Sequence, residues 1–391
     1  MANDIFSFGN IYRCYLDCRR NKRNTVNALK FEISAEENIL KLERELTAKT
    51  YRPSRSILFA SRKPKLREIF AADFRDRVVH HVLVDHLERI YEPIFIHDSY
   101  ACRKGKGTHA AVMRLQGFLR KASVSGKARA HYLQLDIKDF FASIDKNVLF
   151  DIIKKKISDK DVLWLTGKII FHDPTESFIL RDRENIVNKI PSNKSLFGKS
   201  NLKGLPIGNL TSQFFGNVYL NELDQFVKHT LKARFYIRYV DDLVLLSRER
   251  DELIRWMKEI EDFLIIRLGL KLHPKRRKLQ PISNGVNFLG YIIRKDYILI
   301  RRRAINNLNS RLRHFERLTA VSPKTSVSLH NPITQLCDNA RRDKVIRACL
   351  QSYLGHFKWA NSHRLVDALI KEKIVSDYFK VCNYKLQLIK T

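Results

Sequence analysis

No stretch of this 391-residue chain approaches the roughly 20 consecutive apolar residues that a membrane-spanning helix needs. Met1 to Asn10 carries an acidic Asp4 where a secretory leader starts basic, and it has no long apolar stretch. Together these absences predict a cytoplasmic protein. Cysteine is sparse: six residues stand at 14, 18, 102, 337, 349 and 382, and only Cys14 and Cys18 are close together. Without a second pair or a nearby histidine to complete a zinc site, reduced and partly buried thiols are expected. Internal repeats and low-complexity tails are absent too. Negative charge is in short supply: 41 Asp and Glu face 73 Lys and Arg, a net +32. The excess is spread along the chain and predicts a polyanionic partner, nucleic acid rather than membrane.

What is present suits two to three domains, with 44% hydrophobic residues for their cores. Ser34 and Glu37 have capping-box spacing, and Ile39, Leu42 and Leu46 recur at helical intervals, so residues 34 to 48 read as an amphipathic helix. The basic stretch Ser61 to Arg77, with Lys63, Lys65, Arg67, Arg75 and Arg77, precedes the apolar run Val78 to Leu87, which reads as a strand pair and then a helix. His131 to Ile137 and Phe235 to Leu246 alternate in the manner of strands. The second breaks at Asp241-Asp242 and reads as a hairpin with two carboxylates at its tip. Pro174 to Lys203 should be loop and short strands. From Ala304 the pattern is helical, with Ile305, Leu308, Leu312 and Phe315 on one face and Arg303, Arg311, Arg313 and Arg317 outside it. Ile346, Cys349, Tyr353 and Phe357 suggest a second helix, so a basic helical module is expected after a boundary near Asp296. His356 and His363, seven residues apart, would share one helix face as packing or RNA-contacting groups.

Nucleotidyl transfer needs two Mg²⁺ ions, one to acidify the attacking 3′-hydroxyl and one to neutralise the triphosphate, with carboxylates to hold them. Short aspartates at the end of one strand and at the tip of an adjacent hairpin do this with little play. Asp136, in Leu-Asp-Ile-Lys, and Asp241-Asp242, in Tyr-Val-Asp-Asp, have those positions. Adjacent like charges at a turn repel, and a metal makes better sense of them than structure alone. Asp-Asp at a turn is common by itself. Here it comes in the order basic patch, strand with Asp, Gly-Leu-Pro-Ile-Gly loop, hairpin with Asp-Asp, basic helical module.

That order, and the segments YLQLDIKDFFASID (Tyr132 to Asp145) and YIRYVDDLVLLS (Tyr236 to Ser247), resemble the reverse transcriptases. The resemblance covers most of the chain. It implies an α+β, right-hand polymerase with fingers, an antiparallel-sheet palm and a helical thumb. The implied limits are 1–130 for fingers with the start of the palm, 131–295 for palm with 158–203 returning to the fingers, and 296–391 for a basic helical thumb. The catalytic and metal-holding set is Asp136, Asp241 and Asp242 with Ile137, for two Mg²⁺ that Mn²⁺ can replace. Lys65, Arg67, Arg103, Phe141, Ile207, Gly208, Gln213 and Lys275 would meet the incoming dNTP. Phe141, five residues after Asp136, corresponds to the aromatic gate that excludes a 2′-hydroxyl; its neighbour Phe140 should face the other way on an extended strand. In the run Lys275, Arg276, Arg277, Lys278 the pyrophosphate lysine is ambiguous, with Lys275 favoured. NFLGY (Asn287 to Tyr291) resembles the primer grip. Lys63, Arg75, Asn287, Gly290, Tyr291, Arg303 and Arg311 would contact template RNA and cDNA.

GLPIGNLTSQ (Gly204 to Gln213) has Ile207-Gly208 and Ser212-Gln213 where most of the family carries Gln-Gly and Ser-Pro. With YACRKGKGTH (Tyr100 to His109) and GHFKWANSH (Gly355 to His363), this is similar to the reverse transcriptases of diversity-generating retroelements. That subfamily implies cDNA synthesis with errors opposite adenine, rewriting of a target gene, a small basic ring-forming accessory protein, and a bacterial, archaeal or phage source. At this length no nuclease, maturase-type or RNase H segment is expected. Competing expectations are a retron or group II intron-like enzyme, a template-independent antiviral polymerase, and a non-catalytic RNA-binding scaffold.

Overall fold

The computed structural model describes residues 4–20, 25–62, 65–182, 184–320, 332–371, 379–382 and 384–388. The fold is α+β, and the chain divides into two compact units: Met1–Gly107 with Leu133–Leu279, and Thr108–Tyr132 with Gln280–Thr391.

The first unit begins with α1 (Phe8–Arg19), α2 (Val26–Ile33) and α3 (Ala35–Thr47), then strands β1 (Ser56–Ser61) and β2 (Arg67–Ala71), and α4 (Phe74–Tyr91). The expected strand pair and helix are therefore present. β1 and β2 pair antiparallel, with Ile57 opposite Ala71 and Ser61 opposite Arg67. In α4, Val78, Val79, Val82, Leu83 and Leu87 are fully buried, each contributing about 1.5–3 kcal/mol. Asp73 caps the helix by accepting from the Arg75 N–H at 3.1 Å. Helix α3 starts where expected, but Ser34 makes no side-chain cap. The preceding α2 runs directly into it, so Ser34 closes one helix as it opens the next.

After α5 (Thr108–Ala122) come β3 (His131–Asp136), α6 (Phe140–Ser143), α7 (Lys146–Lys154), α8 (Lys160–Ile170), β4 (Phe178–Leu180), α9 (Glu184–Val187) and α10 (Leu210–Gln225). β4 adds parallel to β1, giving the order β2–β1–β4. Helix α10 is buried on nearly every face and forms the spine of the unit's core. Next are β5 (Phe235–Tyr239), β6 (Asp242–Ser247), α11 (Arg250–Leu268) and β7 (Lys278–Pro281), with a four-stranded sheet in the order β5–β6–β3–β7. β5 and β6 are antiparallel, Tyr239 facing Asp242. The turn is thus Val240-Asp241, while Asp242 already belongs to the strand, one residue later than a tip for both carboxylates would require.

In the second unit, β8 (Val286–Phe288), β9 (Tyr291–Ile293) and β10 (Ile298–Ile300) form an antiparallel sheet, followed by α12 (Arg302–Ala320), α13 (Pro332–Phe357), α14 (His363–Lys371) and the hairpin β11 (Phe379–Cys382) with β12 (Lys385–Leu388). Leu308, Leu312 and Phe315 are buried on α12, with Arg311 and Arg313 outside, as expected; the side chain of Arg317 lies outside the described residues. α13 ends at Phe357 and α14 begins at His363. His356 and His363 therefore sit on separate helices, not on one face. Among the described residues no helix is long and apolar enough to cross a membrane.

Candidate active site

β3 ends at Asp136, and the next residue, Ile137, donates its N–H to the Asp241 carbonyl at 3.2 Å. Strand order puts β6, which starts at Asp242, beside β3. Three carboxylates remote in sequence are thereby brought to one end of one sheet. The Gln134 amide donates to Asp242 Oδ1 at 3.1 Å. Burial first, then the charge of Asp136, pushes the Asp241 carboxyl up to about 6. Burial also pushes Asp242 up to about 7, together with Asp241 and Asp136 and against the Gln134 bond. Ile137 is 1% exposed, so only its main chain can reach a ligand.

Cations surround this group. Arg276 Nη1 donates to Asp136 Oδ2 at 2.8 Å, and the Arg67 charge reaches Asp241. Lys65 is held below its ordinary range by burial and then by Arg276, while Asp136 opposes that shift. Lys275 is exposed, and Arg277 pairs with Glu261. Of the ambiguous basic run, Arg276 is the member at the carboxylates. Lys63 lies outside the described residues.

The aromatic pair sits on a helical turn, not on an extended strand, yet Phe140 is buried and Phe141 only half-buried. The two rings do not face opposite ways as on a strand: their centroids are 5.0 Å apart and both edges come up to Gly216 of α10. The Phe141 carbonyl accepts from the Leu205 N–H at 2.8 Å, and the Ile144 carbonyl from the Gly204 N–H at 2.8 Å. On its other side the same loop accepts through the Ile207 carbonyl from the Phe70 N–H at 3.0 Å. Gly208 has φ +121°, and a Cβ there would stand 2.8 Å from Ile69 Cγ2, so glycine is required for this close approach. Gln213 is exposed in the first turn of α10.

Several expected ligand contacts are engaged elsewhere. Arg103 grips Glu92 through Nε and Nη2 and the carbonyls of Ile96 and Ser99 through Nη1, with its side chain 5% exposed. It clamps the loop that follows α4. Arg75 binds Glu45 and the Arg52 carbonyl and lies over the Tyr51 ring. In the second unit Tyr291 is fully buried, donating to the His356 carbonyl at 2.7 Å. Its ring packs against His356 with centroids 4.3 Å apart. Gly290, at φ +91°, closes the β8–β9 turn, and Asn287 is half-buried on β8. Arg303 and Arg311 are exposed on α12, Arg311 reaching Cys349 Sγ at 3.4 Å.

Sequence reasoning missed Asp224 and Arg238. Both are fully buried, with Arg238 Nη2 2.6 Å from Asp224 Oδ2. Tyr236 donates to the same carboxylate at 2.7 Å. Arg238 also donates to Asn217 Oδ1 at 3.1 Å and to the Val240 carbonyl at 3.2 Å. Val240 has φ +54°, a region that branched residues avoid, directly before Asp241. Charged residues inside otherwise apolar α10 and β5 were the available signal, since buried charges pair.

The family description reverse transcriptase (RNA-dependent DNA polymerase) matches residues 60–293. The chain belongs to the reverse transcriptase family. It is 28% identical over 185 residues to a 91 kDa protein in cob intron of Schizosaccharomyces pombe, covering 47% of this chain and 20% of that relative. It is 24% identical over 314 residues to Protein YkfC of Escherichia coli, covering 71% and 76%. To the group II intron-encoded protein LtrA of Lactococcus lactis it is 23% identical over 325 residues, covering 66% and 50%. The chain thus spans a fifth of the first relative and half of the third.

Reverse transcriptases use divalent ions, and the donor set suits one. Among the described residues no three His, Cys, Asp or Glu side chains form a cage by themselves. Mg²⁺ does not need one: it takes one or two carboxylates and fills its shell with water and substrate phosphates. The burial that raises Asp241 and Asp242, with the charge of the neighbouring carboxylates added to it, is what a bound cation would offset.

Proposed function

We propose that the chain is an RNA-directed DNA polymerase that copies a retroelement template RNA into cDNA. The observation that carries this reading is the junction of β3 with the Val240-Asp241 turn, where Ile137 N–H meets the Asp241 carbonyl at 3.2 Å and three carboxylates share one charge environment. Asp136, Asp241 and Asp242, with the Ile137 main chain, would hold two Mg²⁺ ions, for which Mn²⁺ can substitute. The bound ions supply charge neutralisation and a more acidic 3′-hydroxyl. Lys65 and Arg67 meet the triphosphate of the dNTP, and Arg276 screens Asp136 until substrate arrives. Phe141 packs under the sugar, its position fixed by the Leu205 bond to its carbonyl. Ile207, Gly208 and Gln213 line the templating side. Residues 1–130 serve as fingers, 131–295 as palm with 158–203 returning to the fingers, and 296–391 as thumb, with Arg303 and Arg311 on the nucleic-acid side.

The finer reading is a diversity-generating retroelement enzyme, working in the cytoplasm of a bacterium or archaeon, or encoded by a phage. It makes cDNA with errors opposite adenine and partners a small basic ring-forming accessory protein. Its support is the Ile207-Gly208 and Ser212-Gln213 pattern, and the packing of two further matched segments: His109 and Trp359 stack with ring centroids 4.6 Å apart. A group II intron-type enzyme is the second reading, favoured by the intron-encoded relative. Sequencing cDNA made on a defined RNA template, with and without the accessory protein, separates them. Errors concentrated opposite adenine support diversification, and uniformly accurate cDNA removes it while keeping the polymerase.

A further inference from the structure

The second unit contains a cavity of about 670 Å³ lined with cations. One wall is Ser123 to His131, contributing Lys127, Arg129 and His131; the other is Pro281 to Ser283 and Arg294 to Tyr297. The walls are tied by the Ile282 N–H, which donates to the Ala130 carbonyl at 3.0 Å. Helix α5 fixes the far side, with Gln116 donating to the Arg294 carbonyl at 3.2 Å and Arg120 to the Lys295 carbonyl at 2.6 Å.

Its only acid, Asp296, is already paired with Lys295 at 2.6 Å. Lys127, Arg129 and Arg294 have no carboxylate partner among the described residues. Two buried polar atoms on the lining, His131 Nδ1 and Arg294 Nε, have no hydrogen-bond partner. Buried donors are normally satisfied, so two orphans on one cavity point to a ligand that completes them. Between the lining residues Ser123 and Gly126 the backbone is strained, Val124 and Ser125 lying at φ +48° and +57°. Lys295 packs so closely over Gly126 that a Cβ there would stand 2.8 Å from its Cε. Tyr297 is 39% exposed at the edge, with Arg294 over its ring at 5.7 Å.

We infer that this cavity binds a single-stranded segment of RNA. Its phosphates meet Lys127, Arg129 and Arg294, and one base enters beside His131 and Tyr297. The space is in the range of ligand sites of nucleotide size and too large for a lone phosphate ion. The choice of RNA over another polyanion rests on the polymerase reading. The test needs no catalysis, so the two can fail separately.

The full chain is titrated with a fluorescent 12-nucleotide oligouridine carrying one 4-thiouridine, across a salt series. Lys127→Ala with Arg129→Ala, both exposed positions, should weaken binding about tenfold near 0.15 M salt. The slope of log K against log salt should fall by about 1.4, at 0.7 per phosphate of a single strand. Crosslinks in the parent protein should map to the peptides holding His131 or Tyr297. Arg129→Gln alone gives the same direction if the double variant melts early. Unchanged affinity and slope would overturn the inference. So would polyglutamate that competes as well as RNA and loses affinity equally in the variant, which would assign the cavity to an acidic protein surface.

Discussion

Arg238 and Asp224 form an ion pair with no solvent exposure on either side, and the same guanidinium holds the carbonyl of Val240 at 3.2 Å. The pair thereby links the core of α10 to the turn that presents Asp241. Asp224→Asn leaves a buried guanidinium short of its counter-charge and should destabilise the protein by about 3–5 kcal/mol. Arg238→Met with Asp224→Leu should recover most of the melting temperature, since an apolar pair of similar volume is tolerated there. It should not recover kcat, because Val240 loses its support. Full activity in the stable double variant would show that the pair is structural only.

Val240→Gly should relieve the positive φ and raise stability by about 1 kcal/mol. It should lower single-turnover rate, because the turn becomes free to move. Denaturant melts and rapid-quench kinetics on the same preparation check both signs.

Asp241 and Asp242 titrate in the fold near 6 and 7, above the ordinary 3.8. A raised carboxyl favours the folded state while protonated, so its contribution is full below about pH 4 and is lost as pH rises through 6 to 7. Without divalent ions, the protein should be less stable at pH 8 than at pH 5, by on the order of 4 kcal/mol from these groups. Asp242→Asn should flatten much of that slope and raise the melting temperature at pH 8, while Mg²⁺ should stabilise the parent more than the variant. Parallel pH curves for both proteins would contradict the assignment.

Arg276 pairs with Asp136 at 2.8 Å and would compete with a cation held there. As a partly exposed pair it is worth about 0–1 kcal/mol, so Arg276→Ala should lower the half-saturating Mg²⁺ concentration by up to about fivefold. Lys275→Ala should not shift it. The Mg²⁺ dependence of primer extension reads this directly.

Ile207 presents an apolar side chain on a loop pinned by its own carbonyl to Phe70. Ile207→Gln should preserve the loop and raise fidelity opposite adenine. Sequenced cDNA with an unchanged error spectrum would sink that role.

The catalytic strand, the carboxylate hairpin and the β1–β2–α4 segment were legible because their signals are local: alternation, a break at Asp-Asp, an apolar run. Arg276 was hidden among four consecutive cations, since the choice depends on how the chain turns after Leu272, which bridges to Ile137. Arg103 stood in a Gly- and Lys-rich segment that suggested a ligand contact. Its partners, Glu92 and two carbonyls, are set by tertiary packing that no spacing reveals. The Asp224–Arg238 pair joins residues on different elements and shows in sequence only as charges in apolar surroundings.

The most direct measurement is single-nucleotide incorporation on a DNA primer annealed to RNA, with Mg²⁺, comparing the parent with Asp136→Asn, Asp241→Asn and Asp242→Asn. The expected result is incorporation by the parent and a loss of at least about a thousandfold in each of the three variants, with the fold intact by melting, as preorganised electrostatic groups of this kind contribute. Incorporation within tenfold of the parent in any one of them would contradict a single centre built from the three carboxylates.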